Sequence, residues 1–139
     1  ILQKRLFEDR YRVFYDPALR EPPLTRADYL DAQHITVVYE PRRALDLDRH
    51  LAAQGIQRRF AVMVPGFAGL PPFIRGSELL ATVPARLQSH LLRDLASVEP
   101  PVPCPSMPMY MVWHARHQLD AAHQWLRAEV EAVVGDVVA

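Results

Sequence analysis

Hydrophobic and polar positions change period along the chain, and the changes mark out its elements. Gln3 to Phe7 and Arg10 to Tyr15 read as strands, ended by Asp16 and Pro17. After a proline-bearing loop, Thr25 is placed as an N-cap with Asp28 three residues on, so a short helix should run through Ala32. The stretch "HITVVYE", from His34 to Glu40, is β-branched and apolar on both faces, the pattern of a parallel strand covered by helices on both sides, and Pro41 stops it. The stretch "RRALDLDRHLAAQG" sets Ala44, Leu47 and Leu51 on one helical face and Gly55 just past the end of that helix.

Phe60 to Val64 is again apolar on both faces and predicts a second buried strand. Gly66 to Gly76 is expected to be helical, with Pro71 and Pro72 in a first turn where an amide hydrogen is not needed. "ELLATV" gives a third strand, and Pro84 fits the first position of a helix carrying Leu87 and Leu91. Alternating strands and helices predict an α/β unit with a mainly parallel sheet. "EPPVPCPSMP" has too many prolines for a helix or a central strand and should run extended as a connector. Met107 to His114 then shows period two, with Met107, Met109, Met111 and Trp113 on one face, which predicts a strand. Asp120 is placed to cap a long final helix whose Leu119, Ala122, Leu126, Val130 and Val133 form an apolar stripe.

Composition narrows the class. At 139 residues, half of them hydrophobic, the chain suits one compact domain or two small lobes. Sixteen basic residues balance sixteen acidic ones, so charge marks the chain neither as a nucleic-acid binder nor as a membrane-surface protein. The single cysteine, Cys104, excludes an intrachain disulfide and a cysteine-rich zinc site and is compatible with a reducing, cytoplasmic setting. No apolar run approaches the ~20 residues a membrane span needs. A strand-like opening at Ile1, with no initiator methionine, suggests a fragment of a longer protein.

Candidate chemistry is sparse. His114 and His117, three apart near a strand, should point to opposite sides, and His123 lies in the following helix, so no metal site is expected. Cys104 sits among prolines, and no nucleophile elbow, phosphate loop or dinucleotide fingerprint occurs; no cofactor is expected. A pocket is the better candidate. The methionine row offers a soft apolar face that suits either a core or the wall around a flat ligand. His34 is either satisfied by backbone or a donor to a ligand carboxylate. "VPGF", from Val64 to Phe67, ends a strand and opens a helix, so the Gly66 and Phe67 amides can face an anion, beyond the carboxyl ends of strands where ligands of open α/β sheets bind.

Five segments, "QKRLFEDRYRVF", "QHITVV", "LAAQGIQRRFAVMVPGF", "GSELLATVPARL" and "MVWHARHQLDAAHQWLR", together resemble the effector-binding domain of LysR-type transcriptional regulators, especially the aromatic-inducer and nodulation branch. The resemblance covers nearly the whole chain. It implies a type II periplasmic-binding-protein-like α/β fold: two subdomains joined by two crossing strands, the first incomplete in this chain, with a small aromatic acid or phenol as inducer in the cleft between them. Residues 1–33 and 114–139 would belong to the first subdomain and 34–113 to the second. His34 to Tyr39 would be the outgoing crossover and Met107 to His114 the return. His34, Gly66 and Met109 would face the inducer, with Pro65, Phe67 and Met111 beside them; Gly66 stands where relatives place a histidine. The resemblance also implies a dimer or tetramer in the full-length protein, with DNA contacted only through an N-terminal winged helix-turn-helix that these residues lack. A solute-binding protein or an enzyme on the same fold is the alternative.

Overall fold

The computed structural model describes residues 1–39 and 44–138. Its elements are β1 (Leu2–Asp9), β2 (Tyr11–Tyr15), α1 (Arg26–Asp31), β3 (Gln33–Val37), α2 (Asp46–Ala52), β4 (Arg59–Val64), α3 (Pro71–Ile74), β5 (Leu80–Pro84), β6 (Ala96–Val98), β7 (Met107–Trp113) and α4 (Ala121–Val138). They divide into two units, one formed by residues 1–9 and 106–139, the other by residues 10–105. These limits differ from those expected. Residues 10–33 fall in the second unit because β2 is an inner strand of its sheet, and 107–113 fall in the first because β7 pairs with β1. The chain therefore passes between units at Asp9/Arg10 and Pro105/Ser106, and His34 to Tyr39 is not a crossover.

The second unit is built on a sheet of order β4-β3-β5-β2-β6. β3 runs parallel to β4 and β5, whereas β2 is antiparallel to β5 and β6, so the sheet is mixed rather than mainly parallel. Successive residues of a strand fall in different clusters, as period two requires. Phe14, Ile35, Ala81 and Val83 pack with Leu70, Ile74, Leu92 and Leu95 on one face. Val13, Tyr15 and Leu80 pack with Tyr29, Leu47, Leu51, Ile56 and Val102 on the other. α2 covers one face and α3 the other, which is why β3 and β5 between them are buried on both faces, His34, Thr36 and Thr82 included.

Local chemistry sets the ends of these elements. Thr25 Oγ1 accepts from the Asp28 amide at 3.1 Å while the Thr25 amide donates to Asp28 Oδ2 at 3.1 Å, a reciprocal capping box worth about 1 kcal/mol. Gly55 adopts φ +73° just beyond α2, where a side chain would be strained. α2 is shorter than expected: Ala44 precedes it and is exposed, and Arg42 and Arg43 lie outside the described residues. β4 is an edge strand rather than a buried one, with Ala61 and Met63 turned outward. Pro84 opens a 3₁₀ turn, Ala85–Ser89, in place of an α-helix.

In the first unit β1 and β7 form an antiparallel ribbon with Leu2 opposite Trp113 and Phe7 opposite Met109. Asp120 does cap α4, its Oδ1 accepting from the His123 amide at 3.0 Å. The apolar stripe is a different matter. Leu119, Leu126 and Val133 are exposed, and the half-buried face of α4 is His123, Arg127, Val130, Glu131 and Val134, with Glu131 paired to Lys4 at 2.7 Å. Glu131 thus meets Lys4 of β1, while Arg127 lies over the Trp113 ring of β7 and His123 stacks on His117.

One charged pair is built into the second unit. Arg58 is 5% exposed and reaches Asp48 of α2 in a fork, Nε to Oδ1 and Nη2 to Oδ2, both at 2.8 Å, with its guanidinium over the Phe60 ring. Removing one partner of such a pair strands a charge away from water. Asp48→Asn is expected to lower the unfolding free energy by about 3 kcal/mol in urea titrations. Asp94→Asn, which breaks the exposed Arg75–Asp94 pair, should change it by less than about 0.5 kcal/mol. A reversed order would show that the buried fork carries no stability.

Candidate functional site

Because β3 and β4 are parallel, their carboxyl ends emerge on the same side of the sheet. The pairing continues one residue past β3, with the Val38 amide donating to the Val64 carbonyl at 2.9 Å. The chain then leaves β3 at Tyr39 and leaves β4 at Pro65, Gly66 and Phe67. Pro65 is exposed, Gly66 is extended at φ −165°, and Phe67 begins a 3₁₀ turn and packs half-buried against the core. The Gly66 and Phe67 amides have no acceptor among the described residues, and a Cβ on Gly66 would meet nothing within 4 Å. Open space and two donors without an acceptor among the described residues thus lie together at the end of a parallel strand pair.

Tyr39 joins this corner and is absent from the sequence-based set. Its ring meets that of Phe67 edge to face, centroids 6.3 Å apart and planes at 84°. The only signal in the sequence is an aromatic residue directly after a parallel strand; its neighbour Phe67 comes from the next crossover.

The structure does not bring His34 to this corner. His34 is the second residue of β3, at the other end of the strand, and is fully buried. Its Nε2 lies 2.7 Å from the Tyr29 carbonyl and its ring packs edge-on against Tyr29, whose hydroxyl is bonded to Thr82 at 2.8 Å. With β4 on one side and β5 on the other, His34 serves the core and has no open surface for a ligand. Met109 and Met111 lie on β7 in the first unit, where Met109 is exposed and Met111 half-buried.

Other sequence candidates resolve into local contacts. His114 Nδ1 accepts from the Arg116 amide at 3.1 Å, Arg116 Nε donates to His117 Nε2 at 3.0 Å, and the His117 and His123 rings stack 4.0 Å apart. Among the described residues no three His, Cys, Asp or Glu side chains are grouped to hold an ion. Cys104 donates to the Val102 carbonyl at 3.6 Å, and burial pushes its thiol up to about 11, so at neutral pH it carries no nucleophilic thiolate. A cavity of about 650 Å³ opens at the amino ends of β3 and β5, lined by Glu21, Asp28, Asp31 and Glu78 against one cation, Arg20; that charge disfavours an anion. Among the described residues no helix is long and apolar enough to cross a membrane.

Residues 1–135 match the family model described as the LysR substrate binding domain. Nodulation protein D 2 of Rhizobium tropici is 34% identical over 128 residues, covering 88% of this chain and 40% of that protein. The HTH-type transcriptional activator NahR of Pseudomonas putida is 32% identical over 130 residues, 90% of this chain and 43% of that protein. The chain therefore spans about two fifths of the length of these curated relatives. The regulatory domain of MexT, a transcriptional activator in Pseudomonas aeruginosa, superposes with a TM-score of 0.78 at 23% identity, over 94% of this chain and 66% of that one. A probable transcriptional regulator from the same organism gives 0.81 at 25%, over 94% and 44%. The α/β fold, of the type II periplasmic-binding-protein-like kind, is the one these regulatory domains share.

The placement of His34 has a pH signature. Burial holds its ring down to about 4, against the opposing effect of its bond to the Tyr29 carbonyl. Between that value and the ordinary 6.5 the unfolded chain takes up a proton that the folded chain refuses. The stability contributed by the neutral ring is complete above pH 6.5 and is lost as the pH falls, reaching about 3 kcal/mol at pH 4. In urea titrations across this range, His34→Gln should flatten the slope; equal slopes in the two proteins would assign the titration to another group.

Proposed function

The chain belongs to the LysR substrate-binding domain family, and from that premise we propose that it is the effector-sensing region of a transcriptional regulator, taking up a small aromatic acid or phenol. The observation that carries this reading is the family match along residues 1–135. The names of the relatives support it: a nodulation protein and a transcriptional activator. Sensing and not catalysis is also what the described side chains favour, since the one thiol is protonated and half-buried.

In this reading the ligand sits at Pro65, Gly66 and Phe67. The two unused amides receive its carboxylate or phenolate oxygen, and Phe67 supplies apolar contact. A ligand held there would favour one disposition of the loop after β4 over others, and a regulator would convert that preference into a changed geometry on DNA. The longer protein would act in the cytoplasm as a dimer or tetramer, contacting DNA through a separate domain.

Gly66 offers a direct test, because its extended backbone suits any residue and the space beside it is open. Titrating the 139-residue chain with benzoate, followed by amide resonances, should shift Gly66 and Phe67. Gly66→Leu should fold normally and weaken benzoate binding by about tenfold or more, about 1.4 kcal/mol. Unmoved Gly66 and Phe67 resonances at about 10 mM benzoate, weaker than any useful affinity, would overturn the reading.

A further inference from the structure

We propose that Tyr39 is a specificity-determining residue of this site, forming with Phe67 an aromatic wall that selects flat, unsaturated rings over saturated ones of the same charge. The inference rests on the reading that a small organic anion binds at Gly66 and Phe67, and adds to it the residue that distinguishes one such anion from another.

Three observations place Tyr39 in this role. First, its backbone is held. The Val38 amide is bonded to the Val64 carbonyl, so the residue leaving β3 is fixed beside the residues leaving β4. Second, its ring is open yet oriented. Tyr39 is 63% exposed, but its contact with Phe67 at 84° fixes the angle between the rings. Phe67 is half-buried in the core and acts as the anchor, while Tyr39 is the exposed partner whose surface remains for a third ring. Third, its hydroxyl has no hydrogen-bond partner among the described residues, whereas the buried Tyr29 hydroxyl is bonded to Thr82. Partial burial raises the Tyr39 phenol above its ordinary value, so at neutral pH it is a protonated donor. An exposed tyrosine alone is unremarkable on a protein surface. This one stands at the carboxyl end of a parallel pair, against a ring that borders an open glycine and two amides without an acceptor among the described residues.

The discrimination follows from geometry. A planar ring can approach both aromatic side chains face-on or edge-on at van der Waals distance, whereas a chair-shaped ring touches each at a few hydrogens only. The carboxylate and the unused amides contribute equally in both cases, so the difference between the two ligands isolates the wall.

The experiment compares benzoate with cyclohexanecarboxylate, titrated into the 139-residue chain and its variants by calorimetry or amide resonances. The unaltered chain should prefer benzoate by about threefold to tenfold, the range an aromatic contact supplies. Tyr39→Ala should bring benzoate down to the level of the saturated acid and leave the latter unchanged; Tyr39→Phe should keep the preference. Tyr39 is exposed, so unchanged melting temperatures should accompany both variants. A preference that survives Tyr39→Ala, or equal binding of the two acids by the unaltered chain, would overturn this assignment and leave the ligand site at Gly66 standing. Failure of both acids to bind the unaltered chain would overturn the site and the assignment together.

Discussion

Parallel pairing of β3 with both β4 and β5 is the constraint from which the second unit follows. A hairpin cannot join parallel strands, so the chain must cross a face of the sheet each time it returns to start another. It does so first through α2 and then through α3, on opposite faces, and those two passages bury Leu47 and Leu51 on one side and Leu70 and Ile74 on the other. The same pairing sends both strands out in one direction, so the loops that begin with Tyr39 and Pro65 share an end of the sheet. Core and candidate site are two results of one hydrogen-bonding pattern.

Within that frame most of the polar interior is hydrogen-bonded, although His34 Nδ1 and Arg58 Nη1 are buried with no partner among the described residues. Tyr29 is the hub: its hydroxyl bonds Thr82, its carbonyl receives the His34 ring, and its ring meets His34 edge-on. The nearby Arg58–Asp48 fork ties the start of β4 to α2. Each group belongs to a different element, so the network couples α1, β3, β5 and the β4–α2 corner through directional bonds, where apolar packing alone would allow them to slide.

Elements governed by local chemistry were legible in the sequence. The Thr25–Asp28 box, the left-handed Gly55 and the Asp120 cap depend on residues within a few positions of one another. The family was legible for a different reason, since five ordered segments together are specific where each alone is not. Properties set by distant partners were not legible. Phe60 to Val64 is apolar enough for a buried strand, yet β4 lies at an edge, and no periodicity within it says whether a strand will arrive on its outer side. The direction of β2 depends on where the chain enters the sheet. His34 illustrates the same limit at the site. Its residue type suits a ligand donor, but the depth of β3 between two neighbours decided for the core.

The second unit is a continuous segment whose first and last strands are hydrogen-bonded neighbours, with Val13 opposite Val98, while in the first unit Asp9 is opposite Met107. Entry and exit of residues 10–105 are therefore each delivered by a paired strand. In evolutionary terms this makes the segment a cassette: recombination at Asp9/Arg10 and Pro105/Ser106 exchanges an entire sheet, with its loops and polar interior, and disturbs no strand pairing on either side of the splice.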